Sequence, residues 1–343
     1  MFEFVYTTCQ PSSAKWLKEE ARARHPELRF AFSRPGLVTF KSPKPLSSDF
    51  RLELAFARSW GFSFGPVQDW KALESWLTGR PRARVVQAFR VPTGEEDDAP
   101  TADALSADAL ELESLALERL PGLETGDARL GDWVLDLVTT GDGPPLAGLH
   151  LHENGRSPFP GGPRRVPPPA HAPSRAYSKL EEAIEWLGLP MSAGQGALEL
   201  GSSPGGAVLS LIERGLDVVA VDPAPLSPTL APRALELGRR LLSHEKSANA
   251  LTPGDLPFPV HWLLSDMNLA PQVALHSLER VASLARGTLR GAVITLKMND
   301  ARAVASIPAL RARLATWGLG TPVLGALPSH RQEVVAVLRR PDN

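Results

Sequence analysis

The chain has 343 residues, 43% of them hydrophobic and 22% charged, with a formal net charge of −1; that length suits two domains, each with its own core. The charge balance excludes the global basic footprint of many nucleic-acid binders, so such a partner must be met by a local patch. A single cysteine, Cys9, excludes an intramolecular disulfide and a multi-cysteine zinc site, and no metal is expected; the start Met1-Phe-Glu-Phe-Val-Tyr has no basic leader and no long uncharged apolar run follows anywhere, which points to a cytoplasmic chain with no membrane partner, most simply a monomer.

Residues 1 to 91 alternate short β-like runs with amphipathic helices. Strands are expected at Phe2 to Thr7, Arg29 to Ser33, Leu37 to Lys41 and Arg84 to Val91, and helices at Ser12 to His25, Asp49 to Ser59 and Gln68 to Leu77. This is an α+β pattern of the ferredoxin-like kind. From Pro92 to about Asp127 the composition turns acidic, with the run Glu95-Glu96-Asp97-Asp98 read as a solvated loop and a helix near Ala104 to Arg119. Asp132 to Thr139 and Leu146 to His152 then form a hairpin around Gly141-Asp-Gly-Pro-Pro.

Residues 154 to 173 carry Gly161-Gly162, Arg164-Arg165 and Pro167-Pro168-Pro169 and read as a stiff linker between a region at 1 to 153 and a domain at 174 to 343. Arg156, Arg164, Arg165 and Arg175 make the best local basic patch, either an RNA contact or simply solvated linker charge.

Beyond Ser174 strands and helices alternate regularly: helix Ser178 to Leu187, strand Ala197 to Leu200, helix Gly205 to Arg214, strand Asp217 to Val221, helix Pro232 to Leu242, strand His261 to Ser265, helix Pro271 to Ala285, strand Gly291 to Leu296, and helix Ala301 to Trp317. The runs Pro322 to Leu327 and Glu333 to Leu338 close the chain as an antiparallel pair at the sheet edge. The expected fold is thus Rossmann-like α/β, mostly parallel.

The stretch Gly196 to Asp222 reads as strand, glycine-rich turn, helix, strand and acid. Gly201, Gly205 and Gly206 clear the backbone for a ligand, Pro204 suits the first helical position, and Asp222 falls where an acid accepts hydrogen bonds from ribose hydroxyls. The spacing Gly-Ser-Ser-Pro-Gly-Gly places Ser203 where the dinucleotide fingerprint needs its second glycine. A pyrophosphate cofactor is therefore disfavoured against S-adenosylmethionine, which carries adenosine without phosphate. A tight turn with no ligand is the plain alternative.

Leu198-Glu-Leu-Gly-Ser-Ser-Pro-Gly-Gly206 resembles the D-L-G-A-x-P-G-G motif of the FtsJ/RrmJ-type ribose 2′-O-methyltransferases, and Ser174-Arg-Ala-Tyr-Ser-Lys-Leu180 resembles the S-R-x-x-x-K-L motif that precedes it there. The resemblance covers the C-terminal half and is nearest to the RlmM-like subgroup. It implies a SAM-dependent domain behind a THUMP-type RNA-binding region, acting on a cytidine ribose of 23S ribosomal RNA. Glu199 stands where that family usually has Asp. The implied cofactor contacts are Glu199, Gly201, Ser202, Ser203, Pro204, Gly205, Gly206, Asp222 and Asp266.

The same resemblance implies a Lys-Asp-Lys-Glu tetrad, for which the candidates are Lys179, Asp266, Lys297 and Glu333. Taken singly, Lys179 reads as a surface lysine and Asp266 as a loop acid; Lys297 is delivered by an apolar strand. A ribose hydroxyl must lose its proton to attack a sulfonium methyl, and no metal is needed because the leaving group departs neutral. Lys297 is the expected base, with burial and Lys179 lowering its pKa, while Asp266 and Glu333 orient the two ammonium groups. A small-molecule methyltransferase, a non-catalytic RNA-binding protein with a relic domain and, distantly, a nicotinamide dehydrogenase stay open as alternatives.

Overall fold

A computed structural model describes residues 1–91, 106–141 and 143–341. The acidic run at 95–98 lies outside them. The chain divides into two compact units, Met1–Arg165 and Val166–Asn343, the division falling inside the proline- and arginine-rich stretch.

The first unit is built on strands β1 (Phe2–Thr8), β2 (Arg29–Arg34), β3 (Leu37–Leu46), β4 (Ser59–Pro66), β5 (Ala83–Arg90), β6 (Trp133–Thr139) and β7 (Leu146–Leu151), with helices α1 (Ala14–Arg24), α2 (Trp70–Leu77) and α3 (Ala107–Arg119). They form one sheet in the order β2-β3-β1-β4-β7-β6-β5, antiparallel except for the β5–β6 pair. Tyr6 spans four of these strands. It sits opposite Gly61, Gly148 sits opposite Asp136, and the ring runs flat across both glycines so that its hydroxyl donates to Asp136 Oδ2 at 2.5 Å. A Cβ at Gly61 or Gly148 would stand 2.7 or 2.5 Å from that ring, which is why neither position can carry a side chain.

The helix expected at Asp49 to Ser59 is absent: the segment is loop, and β4 begins at Ser59. Leu52 and the unbroken run Leu54, Ala55 and Phe56 are buried, a pattern with neither helical nor strand periodicity. The loop is held from outside itself, because the buried Glu20 carboxylate of α1 accepts the backbone N–H groups of Ala55 and Phe56 at 2.9 and 3.2 Å. A buried backbone without a ladder needs such acceptors.

The second unit contains α4 (Ala176–Leu187), β8 (Gly196–Leu200), α5 (Gly206–Glu213), β9 (Asp217–Val221), α6 (Leu230–Glu236), β10 (Leu241–His244), β11 (Trp262–Ser265), α7 (Pro271–Leu284), β12 (Gly291–Lys297), α8 (Ala301–Ala305), α9 (Ile307–Ala315), β13 (Val323–Gly325) and β14 (Glu333–Arg339). Its sheet order is β10-β9-β8-β11-β12-β14-β13. All pairs are parallel except those of β14, which runs antiparallel between β12 and β13. Every residue of β8 is buried, as expected of a central parallel strand covered on both faces. This is a Rossmann-like α/β sheet.

Two expectations in this unit need correction. Leu241 and Leu242 belong to the edge strand β10 rather than to a helix from Pro232, since α6 stops at Glu236 and Gly238 follows at φ 64°. The single helix from Ala301 to Trp317 is two, α8 and α9, parted at Ser306 ahead of Pro308, whose nitrogen has no hydrogen to continue the ladder. Strand order reverses between β8 and β11. Ligands in open α/β sheets bind outside the carboxyl ends of the strands at such a reversal.

Candidate active site

Four side chains from four elements meet at that reversal. Lys179 projects from α4, Asp266 follows β11, Lys297 ends β12, and Glu333 opens β14. Lys179 Nζ lies 3.1 Å from Asp266 Oδ2 and 2.7 Å from Glu333 Oε2; Lys297 Nζ lies 2.7 Å from Asp266 Oδ1 and 2.5 Å from Glu333 Oε1. Each carboxylate bridges both ammonium groups, so the charges alternate around a closed ring. The side chains keep 12 to 21% of their surface exposed, enough for a substrate atom to reach them.

The electrostatics reverse one expectation. Burial does pull Lys297 down, but the Asp266 and Glu333 carboxylates together outweigh it and hold the ammonium above the ordinary lysine range. Both carboxylates lie within hydrogen-bond reach of Lys297. Burial likewise pushes Glu333 up, and is overcome by Lys179, His330 and Lys297, which bring it to about 2. Lys297 and Glu333 therefore face each other as an ion pair in the resting ring.

His330, missed by sequence reasoning, belongs to the same neighbourhood. It is buried, accepts the Leu327 backbone N–H on Nδ1 at 3.3 Å, and burial holds its pKa down at about 4. It is therefore neutral beside the ring at neutral pH and charged only in acid, where it helps hold Glu333 ionised. No pattern in the sequence marks it, because a loop histidine carries no periodicity.

Around the turn after β8 the candidate cofactor residues cluster with uneven duties. Gly201 has φ 76°, and a Cβ there would stand 2.8 Å from the Met267 backbone, directly after Asp266. That glycine lets the β8 and β11 turns touch. Cβ atoms at Gly205 and Gly206 would meet Leu230 and Ser174, so both glycines also let chain pack closely on chain around the turn. Pro204 is not at the first helical position, since α5 starts at Gly206 with Gly205 as its N-cap.

Asp222 Oδ2 accepts the Ser203 N–H at 3.2 Å and Oδ1 the Ala224 N–H at 2.8 Å, fastening the turns after β8 and β9 together. Glu199 is buried in β8; burial first, then Asp266 and Asp222, push its carboxyl well above the usual range. Among the described residues, Glu199 Oε2, Ser202 Oγ and Ser265 Oγ are buried without a hydrogen-bond partner, a concentration of unsatisfied polar atoms at the strand ends that fits a polar ligand.

The arginine patch is less uniform than its sequence. Arg156 donates to the Trp60 carbonyl at 2.7 Å and lies 4.2 Å over the Trp60 ring with its side chain 13% exposed, so it is structural rather than presented to a partner. Arg164 lies over Phe159 with its side chain 47% exposed, and Arg175 is exposed.

Residues 172–305 match the family model described as FtsJ-like methyltransferase. The chain is 34% identical over 150 residues to Ribosomal RNA large subunit methyltransferase M of Marinomonas sp. (strain MWYL1), a stretch covering 42% of this chain and 40% of that protein. It is 34% identical over 231 residues to the protein of the same name from Alkalilimnicola ehrlichii, covering 63% and 58%. The chain thus spans about half the length of the curated relatives it matches. Among solved structures, TrmN from Thermus thermophilus aligns over 98% of this chain and 99% of its own at 18% identity and a TM-score of 0.33.

Proposed function

We propose that this protein, whose residues 172–305 match the FtsJ-like methyltransferase model, is an S-adenosylmethionine-dependent RNA methyltransferase acting on a ribose 2′-hydroxyl, in a cytidine of large-subunit (23S) ribosomal RNA. The observation that carries the reading is the closed ring of Lys179, Asp266, Lys297 and Glu333 at the strand reversal, beside the glycine turn. The substrate class rests on the names of the relatives.

The unpartnered Glu199, Ser202 and Ser265 atoms, with Gly201, Ser203 and Asp222, suit the amino-acid and ribose groups of that cofactor, while Pro204, Gly205 and Gly206 shape the turn. When bound, the cofactor supplies an electrophilic methyl group on a sulfonium. For a ribose hydroxyl to take that methyl group, leaving the donor as a neutral sulfide, its proton would pass to Lys297 Nζ. Lys297 must first be neutral, so it sheds its own proton before each turnover. Asp266 and Glu333 hold the two lysines in place, and Lys179 balances their charge.

The first unit and the exposed linker arginines would bring the RNA to the site, chiefly through phosphate contacts. The test is to incubate unmodified 23S ribosomal RNA with the protein and labelled S-adenosylmethionine and to map the product. A single 2′-O-methylcytidine supports the reading. Label on a base, or transfer to a free nucleoside with none to RNA, defeats it.

A further inference from the structure

The buried carboxylate of Glu182 takes no part in the chemistry above. It sits three residues after Lys179 on α4, so the two side chains leave neighbouring positions on one face of the helix. Glu182 is fully buried. Its Oε2 accepts the Ser329 backbone N–H at 2.9 Å, and its Oε1 accepts the Ser329 hydroxyl at 2.7 Å and the Val166 N–H at 3.3 Å.

Ser329 lies in the connection between β13 and β14, four residues before Glu333. That connection is closed on itself by the His330 N–H donating to the Leu327 carbonyl at 3.0 Å and by the Leu327 N–H donating to His330 Nδ1 at 3.3 Å. Its far end is tied to β12 by Met298 N–H donating to the Gln332 carbonyl at 2.8 Å. Helix α4 therefore grips residues 329–333 at both ends, Glu182 holding Ser329 and Lys179 holding Glu333.

A buried carboxylate is tolerated only while its donors stay in place, since removing one leaves charge without a partner. The connection consequently has one favoured seat against α4. A slide of Ser329 away from Glu182 would loosen the lead into Glu333, leaving the ladder with Lys297 and the Met298–Gln332 bond as the remaining holds on that end.

We propose that Glu182 is a positioning residue for methyl transfer, seating the Ser329-to-Glu333 segment so that the Glu333 carboxylate bridges Lys179 and Lys297. The proposal rests on Lys297 being the base. The charged or titratable groups facing Lys297 are Asp266, Glu333, Lys179 and His330, and of these Glu333 and His330 lie on the segment that the Glu182 contact seats. Removing that contact takes a carboxylate off Lys297 and lets its proton leave at lower pH.

The test compares Glu182→Gln and Ser329→Ala with the unaltered chain in single-turnover rate against pH, in cofactor affinity by calorimetry, in thermal stability, and in the titration of the Lys297 Nζ resonance by NMR. Ser329→Ala keeps the backbone donor and serves if Glu182→Gln does not fold. The expected result is a rate per neutral Lys297, taken from the pH profile and the titration together, lowered roughly ten- to hundred-fold for Glu182→Gln and less for Ser329→Ala, with cofactor affinity kept. In both, the Lys297 titration moves toward lower pH. A rate loss that merely follows thermal stability, with the Lys297 titration unmoved in whichever variants fold, overturns the proposal. Full activity in Lys297→Ala would instead remove the reading of the base, and the proposal with it; an inactive Lys297→Ala beside an unmoved titration in Glu182→Gln removes the proposal alone.

Discussion

Lys297 and Glu333 stand directly opposite one another across the β12–β14 ladder, with Lys297 Nζ 2.5 Å from Glu333 Oε1. Residues far apart in the chain become neighbours because β14 is inserted antiparallel beside β12, in a register that pairs the last residue of one strand with the first of the other. A one-residue slip would send the two side chains to opposite faces of the sheet. The register is therefore part of the candidate active site.

Replacing Lys297 with either Ala or Arg is expected to lower methyl transfer by at least about a hundred-fold while leaving the cofactor's affinity within a few-fold. Arg keeps the charge in the ring but cannot surrender its proton. Transfer of labelled methyl to RNA, with calorimetry of cofactor binding alongside, separates the two effects. Near-normal activity in the Arg variant would show that the position supplies charge rather than a base.

The rate should climb with pH. Lys297 is held above the ordinary lysine range by its carboxylate neighbours, so the neutral form is scarce at neutral pH and grows tenfold per pH unit. A log-rate plot of unit slope from about pH 7 to about pH 9.5, without a plateau, is expected for the chemical step. A flat profile rejects the assignment.

Acid should weaken the ring through Glu333. Its pKa is about 2 in the fold, below the ordinary 4.5, so the stability it contributes is complete above about 4.5 and is lost as pH falls through about 2. Lys297 is shifted the other way, and its contribution is complete below the ordinary lysine pKa and is lost as pH rises through its folded value. Thermal melts of the unaltered chain and Glu333→Gln should accordingly differ most near neutrality and converge toward the acid end. A constant gap down to pH ~2 would contradict this.

Glu199 should couple cofactor affinity to pH. Its buried carboxyl is pushed well up by desolvation and by Asp266 and Asp222, and a bound cation favours the ionised form. S-adenosylmethionine should then bind more tightly as pH rises toward the unliganded Glu199 pKa, with proton release. Calorimetry in two buffers of different ionisation heat measures that release. Glu199→Gln should abolish it, and an unchanged release points to another group.

The two best-defined linker arginines should separate cleanly. Arg164→Glu is expected to weaken RNA binding and flatten its dependence on salt, because a protein that neutralises fewer phosphates releases fewer counterions on binding. Arg156→Ala should instead lower the melting temperature, because it removes a hydrogen bond and a stacking interaction on Trp60 inside the first unit. Filter binding over a salt series and thermal melts distinguish them; equal salt slopes for the unaltered chain and Arg164→Glu would clear Arg164 of an RNA-binding role.

Much of the second unit was legible because local pattern and tertiary role coincide there. Buried parallel strands read as continuous apolar runs, and the glycine turn after Leu200 marks itself. Elements failed to show where long-range contacts overrode pattern. The loop around Leu54 looks helical until Glu20 of α1 is seen to satisfy its backbone, and the short edge strand β10 exists only through pairing with β9.

The places of residues 179, 266, 297 and 333 at helix and strand ends could be read from the chain by itself, while their grouping as a tetrad came from the family resemblance. Composition and order carry that much, because strand periodicity shows where an apolar run stops and a charged residue begins. Only the folded chain decided that each carboxylate bridges both lysines, that Lys297 is held charged rather than eased toward neutrality, that Gly205 and Gly206 pack against the chain itself, and that Glu182 among three nearby glutamates is the buried one. Distances and burial set these outcomes, and both arise from pairing between elements far apart in sequence.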